Sequence, residues 1–125
     1  MPGGPTVLVV EDNEKSMKLF RDLLQVTGYR TLEARTGEQA VELALAESPA
    51  LVLMDVQLPG VDGVTALALL RGEERTASIP VIALTAQAMH GDRERFRQAG
   101  FDGYLSKPVD LGELLRTVEA SCGKP

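Results

Sequence analysis

Short runs of β-branched and aliphatic residues recur along this chain, separated by longer stretches in which apolar residues return every three or four positions. That alternation admits few folds: it is the βα signature of a parallel sheet covered by helices on both faces. The runs at 7–10, 51–54 and 81–84 are apolar throughout, as strands buried on both sides must be. Each breaks off at a polar residue: the first at Glu11 and Asp12, the second at Asp55, the third at Thr85. A shorter run, Gly103-Tyr104-Leu105, leads into Ser106-Lys107-Pro108. If these are parallel strands of one sheet, their carboxyl ends share a rim, and three carboxylates, a hydroxyl and an ammonium converge there.

The stretches between the runs fix the organisation. The first helical stretch carries Met17, Leu19, Phe20, Leu23, Leu24 and Val26. At roughly 100° per residue these cover about half the circumference, slightly more than one core contact requires. Gly28 supplies a stop, and residues 30–34 alternate polar with apolar as a half-exposed edge strand does. Thr36 with Gln39 is a capping-box pattern opening a second helix, whose face of Ala40, Val41, Leu43, Ala44 and Leu45 ends at Pro49. Residues 57–63 read as a loop on their Pro and Gly content, and 64–70 resume helical spacing until Gly72. A fourth strand is expected over 79–84. A fourth helix is expected from about Ala88 to Gly100, with Met89, Phe96 and Ala99 inward. Asp110 and Glu113 cap a last helix bearing Leu111, Leu114, Leu115 and Val118. The expectation is one doubly wound α/β domain over 1–125, with five strands, five helices, a core at about 6–120 and flexible ends.

Composition excludes several function classes. A net charge of -5 and the lack of a basic stripe argue against a nucleic-acid surface. The amino-terminal Met1-Pro2-Gly3-Gly4-Pro5 lacks the charge and apolar run of a signal peptide, and no run approaches a membrane span. Cys122 has no partner for an internal disulfide and reads as an incidental thiol, so the cytoplasm is the expected compartment. His90, the only histidine, has neither a Cys nor a second His beside it and is expected to face solvent.

The rim residues suit a divalent cation and a phosphoryl group. Mg²⁺ takes oxygen ligands and keeps several waters, so Asp12 and Asp55 suffice as direct ligands, with the Gln57 carbonyl as a neutral one and Glu11 acting through water. Without a cation, crowded carboxylates raise the proton affinity of at least one. Asp55, at the tip of the central strand, is best placed as a carboxylate nucleophile toward phosphorus. Phosphoryl transfer needs charge neutralisation on the equatorial oxygens, for which Lys107, the Thr85 hydroxyl and the Ala86 amide are available.

These residues also carry a family resemblance. Glu11-Asp12-Asn13, the box Leu53-Met54-Asp55-Val56-Gln57-Leu58-Pro59 with Gly63, Leu84-Thr85-Ala86 and Ser106-Lys107-Pro108 together resemble the receiver domain of two-component response regulators, over about 6–120. The resemblance implies a flavodoxin-like sheet of order 2-1-3-4-5. It implies a phosphoryl group passed to Asp55 from a histidine kinase or a histidine phosphotransfer protein. Asp12, Asp55 and the Gln57 carbonyl would hold Mg²⁺, with Glu11 as the outer acid. Thr85 and Lys107 would hold the phosphoryl oxygens, Lys107-Pro108 would be a cis peptide, and Tyr104 would be the switch aromatic paired with Thr85. The downstream target would meet the face of helix four, strand five and helix five. The stretches Met17-Lys18-Leu19-Phe20 and Ala86-Gln87-Ala88-Met89-His90-Gly91-Asp92 are similar to single-domain receivers of the DivK type and to the receivers of hybrid kinases. Helix one adds an expected docking edge for a kinase or phosphotransfer helix, Met17 with Leu24 or Val26, which ordinary core packing explains equally well. Gln87 and Ala88 are expected to tune the lifetime of the phosphoryl group.

Two other readings use the same residues. A Mg²⁺-dependent phosphohydrolase of the haloacid dehalogenase-like kind also uses a strand-end aspartate, but it places an acid/base Asp two residues later, where Gln57 stands. A flavodoxin-like cofactor protein needs a Gly- or Ser/Thr-rich first turn, and here that turn is acidic.

Overall fold

The uninterrupted apolar runs are buried on both faces because helices cover both. The computed structural model describes residues 4–86 and 92–125. Within it, β1 (Thr6–Val10), β2 (Arg30–Ala34), β3 (Leu51–Asp55), β4 (Val81–Thr85) and β5 (Gly103–Ser106) form one parallel sheet, ordered β2-β1-β3-β4-β5. The helices are α1 (Glu14–Thr27), α2 (Gly37–Glu47), α3 (Gly63–Gly72), α4 (Asp92–Ala99) and α5 (Leu111–Cys122).

Alternation along each strand sorts the core into two layers. Val7, Val9, Leu51, Leu53, Ile82, Leu84 and Leu105 point toward Met17, Phe20 and Leu24 of α1 and Leu114 and Val118 of α5. Leu8, Val10, Val52, Met54, Val81 and Ala83 point the other way, against Ala40 and Ala44 of α2, Ala66, Leu67 and Leu70 of α3, and Phe96 of α4. Each fully buried Leu, Val or Phe contributes roughly 1.5–3 kcal/mol relative to exposure. The helices start at capping side chains, the expected Thr36 and Asp110 and also Asn13 and Asp62, each accepting a hydrogen bond from a first-turn backbone N–H. In α2 the Gln39 side chain also reaches back, but it accepts from the Arg35 N–H (2.8 Å), one residue before the cap.

Three expectations are corrected. β4 begins at Val81 and not at Ile79: Ile79 N–H closes a turn onto the Thr76 carbonyl (3.2 Å), and Pro80 has no N–H to give the ladder. On α1, Met17 and Leu24 are not part of an outward edge. They lie one stripe apart with Phe20 and are buried, whereas Leu19 (49% exposed) and Val26 (85%) face outward. α4 ends at Ala99, with Gly100 following in the left-handed region at φ 110°. The expected helix start at Ala88, the inward Met89, the solvent-facing His90 and the tuning position Gln87 lie outside the described residues.

β2 sits at the sheet edge, as its alternating pattern requires. The carboxyl ends of β1, β3, β4 and β5 line one rim. Val10 lies beside Met54, Asp55 beside Leu84, and Thr85 beside Ser106, so each polar terminus follows its neighbour by about one residue.

Candidate functional site

Strand order reverses between β1 and β3, and the crevice at that point receives the acidic residues. Glu11 leaves β1 with its N–H bound to the Ala34 carbonyl (3.0 Å), which turns its side chain into the rim, where it is 1% exposed. Asp55 ends β3 and is also buried, while Asp12 is exposed. One carboxylate oxygen from each of Glu11, Asp12 and Asp55 lies within 4.8 Å of the others.

Lys107 enters from the opposite side of the crevice. Its backbone N–H donates to the Thr85 carbonyl (2.8 Å), extending the β4–β5 ladder past Ser106, and the peptide joining it to Pro108 is cis. Its ammonium donates to Asp55 Oδ2 (2.8 Å) and Glu11 Oε1 (3.1 Å). The remaining oxygens are held by backbone: Gln57 N–H donates to Asp55 Oδ1 (2.9 Å), and Asn13 N–H to Glu11 Oε2 (3.2 Å). Asp55 is therefore fixed from both sides, by an ammonium and by an amide.

Electrostatics follow from burial and crowding. Glu11 is pushed above the usual carboxylate range, first by burial and then by its neighbour Asp55, against the opposing pull of Lys107 and the Asn13 amide. Burial alone would lower Lys107, but its hydrogen bonds to Asp55 and Glu11 outweigh that and hold it above its ordinary value. Three carboxylates thus face one ammonium. The donor set, all hard oxygen on a partly solvated rim, suits Mg²⁺ and not a soft transition metal.

The loop between β3 and α3 closes over this site. Gly63 N–H returns to the Val56 carbonyl (3.0 Å), and a Cβ at Gly63 would lie 2.5 Å from the Asp55 carbonyl oxygen, so only glycine allows that approach. Leu58 anchors the loop in the core beside α2 and α3. The structure therefore brings together Glu11, Asp12, Asp55, Gln57 and Lys107, with Thr85 buried at the end of the neighbouring strand. Ala86 follows it and is exposed. Tyr104 lies two strand positions from this end, opposite Ala83 and half-buried against the layer that contains Phe96.

The family model for the response regulator receiver domain matches residues 7–119. The chain belongs to that family. Response regulators named "Polar-differentiation response regulator DivK" are similar along its length: that of Brucella ovis is 47% identical over 118 residues, covering 94% of this chain and 96% of the relative. The Brucella anthropi protein of the same name is 46% identical over the same span. Among solved structures, the receiver domain of the sensor histidine kinase PA1611 from Pseudomonas aeruginosa superposes with a TM-score of 0.88 at 39% identity, covering 95% of this chain and 98% of that one. That receiver carries a magnesium ion coordinated in its active site cleft. The receiver domain of the Francisella response regulator 1452 gives 0.88 at 28% identity, covering 94% and 95%.

The chain is thus a DivK-like response regulator receiver with the flavodoxin-like sheet that its sequence implies. Among the described residues, no helix is long and apolar enough to cross a membrane. Two features escaped sequence reasoning. One is the hold of Gln57 N–H on Asp55. The other is an anchor at the opposite end of the sheet, where Arg71 donates to the Ala77, Ile79 and Gly100 carbonyls and to Asp102. Asp102 in turn accepts from Val81 N–H (2.8 Å). The first is a local contact, an aspartate side chain bound to the backbone two residues on, whereas the second has no local signal because Arg71 reaches Gly100 and Asp102 through the tertiary fold.

Proposed function

We propose that Asp55 is the phosphoacceptor of this receiver and takes its phosphoryl group from a phosphohistidine on a histidine kinase or histidine phosphotransfer protein. The observation that carries this is the hold on Asp55: Lys107 Nζ at 2.8 Å on one oxygen and Gln57 N–H at 2.9 Å on the other, in a rim where an acid would otherwise be solvated.

In the reaction an Asp55 carboxylate oxygen attacks phosphorus. A P–O bond forms as the P–N bond to imidazole breaks, and the departing imidazole takes up a proton. The product is an acyl phosphate. Lys107 already sits on Asp55 and places its charge where the phosphoryl oxygens arrive. The Thr85 hydroxyl and the Ala86 N–H, at the end of the adjacent strand, supply further donors. Asp12, Asp55 and the Gln57 carbonyl, with Glu11 behind them, would hold a Mg²⁺, which would supply neutralisation of the developing charge. The chain promotes only its own phosphorylation and dephosphorylation.

The new phosphoryl charge draws on Thr85, and Tyr104 turns into the space that Thr85 leaves. The downstream protein reads that change on the α4, β5 and α5 face. The unit acts as one receiver domain over 1–125, in the cytoplasm where phosphohistidine is made. Incubation with acetyl phosphate, followed by intact-mass spectrometry, tests the reading. One phosphoryl group is expected, and it is lost in Asp55→Asn or in chelator. A gain that survives Asp55→Asn refutes it.

A further inference from the structure

The β3–α3 loop rests on the start of α2 at a point where no side chain fits. Gly37 is the first residue of α2, directly after the cap Thr36, and it is buried. A Cβ there would overlap the Val61 carbonyl oxygen and press on Val61 Cβ and Cγ1 at 3.1 Å. The overlapping atom is backbone, so no rotamer change relieves it. Val61 itself packs against the core layer shared by α2 and α3. The loop is pinned at its other end by Gly63 N–H on the Val56 carbonyl, so it has little freedom to move aside. Gln57, whose N–H holds Asp55 Oδ1, lies between the pinned Val56 and the seat at Val61.

We propose that Gly37 is a positioning residue for the phosphoacceptor: its missing Cβ lets the Val61 carbonyl sit on the start of α2, which keeps Gln57 N–H on Asp55. This rests on the reading of Asp55 as phosphoacceptor. The atoms nearest a Cβ at Gly37 all belong to Val61, so its effect on Asp55 runs through the loop. A methyl group at position 37 displaces the Val61 carbonyl, and the displacement reaches Gln57 along a closed loop. Misplacement of about 1 Å at a reacting group costs up to about a hundredfold in rate.

The test compares Gly37→Ala with Glu42→Gly, which weakens the same helix at an exposed position away from the loop. Three readouts are taken where every protein is folded by circular dichroism: the Gln57 amide chemical shift in metal-free protein, the affinity for Mg²⁺ alone, and the rate of phosphorylation by acetyl phosphate. Gly37→Ala is expected to move the Gln57 amide and to weaken Mg²⁺ binding and phosphorylation by about tenfold or more. Glu42→Gly is expected to lower the melting temperature and leave all three unchanged. A Gly37→Ala protein that is less stable yet keeps the wild-type Gln57 shift and Mg²⁺ affinity overturns the proposal. Should Gly37→Ala fail to fold, Val61→Gly loosens the same seat from the loop side. It is then expected to move the Gln57 amide, and an unmoved amide overturns the proposal equally. If the wild-type chain takes no phosphoryl group on Asp55, the functional reading falls, while the metal-free amide comparison still decides the positioning.

Discussion

Replacing Lys107 by Met removes the only cation bonded to Asp55 and Glu11 among the described residues and keeps much of the apolar stem. Two charge-assisted hydrogen bonds disappear, each worth about 1.5–3 kcal/mol. The loss is partly offset because Lys107 is 28% exposed and water reaches the rim, and because the crowded carboxylates take up a proton. A net cost of about 2 kcal/mol in chelator is expected. With an unfolding entropy of roughly 2.1 cal/mol/K per residue, that is a fall of about 8 °C in Tm for a chain of 125 residues. Saturating Mg²⁺ should shrink the gap, because the variant no longer has an ammonium competing for the same oxygens, and a cation at about one hundred times its Kd stabilises by about 2.7 kcal/mol. Thermal unfolding followed by circular dichroism, with and without Mg²⁺, reads both effects. A gap of the same size in chelator and in Mg²⁺ would show that Lys107 does not balance the carboxylates.

Arg71→Met should cost about 3 kcal/mol, since four hydrogen bonds are lost together, two joining α3 to the segment before β4 and two joining it to the connection between α4 and β5. Urea unfolding checks it, and a midpoint equal to wild type would count against the anchor. Gly63→Ala should abolish phosphorylation by acetyl phosphate, because the new Cβ would lie 2.5 Å from the Asp55 carbonyl; retention of the wild-type rate would contradict that account. Tyr29 is held above its ordinary value by burial and by the nearby Cys122 and Glu119, and its hydroxyl donates to the Gly123 carbonyl (2.7 Å). The folded state therefore keeps this proton longer than the unfolded chain does. The associated stability is fully present below the unfolded value of about 10 and is lost as pH rises through the folded one. In Tyr104→Phe, where Tyr29 is the remaining tyrosine, the tyrosinate absorbance should appear only above that value; an earlier rise would refute the assignment.

Much of this was legible in the sequence because burial on both faces leaves so plain a trace. β1, β3 and β4 read as apolar runs, and the polar residue that ends each one marks the rim. The boundary of β4 was less legible, since Ile79 looks like strand until the turn to Thr76 is seen. The outward side of α1 was misread because Met17, Leu24 and Val26 are equally apolar, and only the direction of the sheet separates them. In the site, the cluster of Glu11, Asp12 and Asp55 followed from strand ends, but their unequal burial did not. Neither the buried Glu11 carboxylate on Lys107 nor the exposed Asp12 is encoded locally. Gly37 left one trace: a glycine at the first position of a helix, where most residues would serve better.

Everything proposed for this rim depends on Asp55 itself bearing the phosphoryl group. Borohydride reduction of the acetyl phosphate-treated protein, followed by peptide mass mapping, addresses it directly, because reduction of an acyl phosphate converts its aspartate to homoserine. Homoserine is expected at position 55, dependent on Mg²⁺ and absent from untreated protein. Homoserine at position 12, or phosphate on a hydroxyl with Asp55 intact, would contradict it.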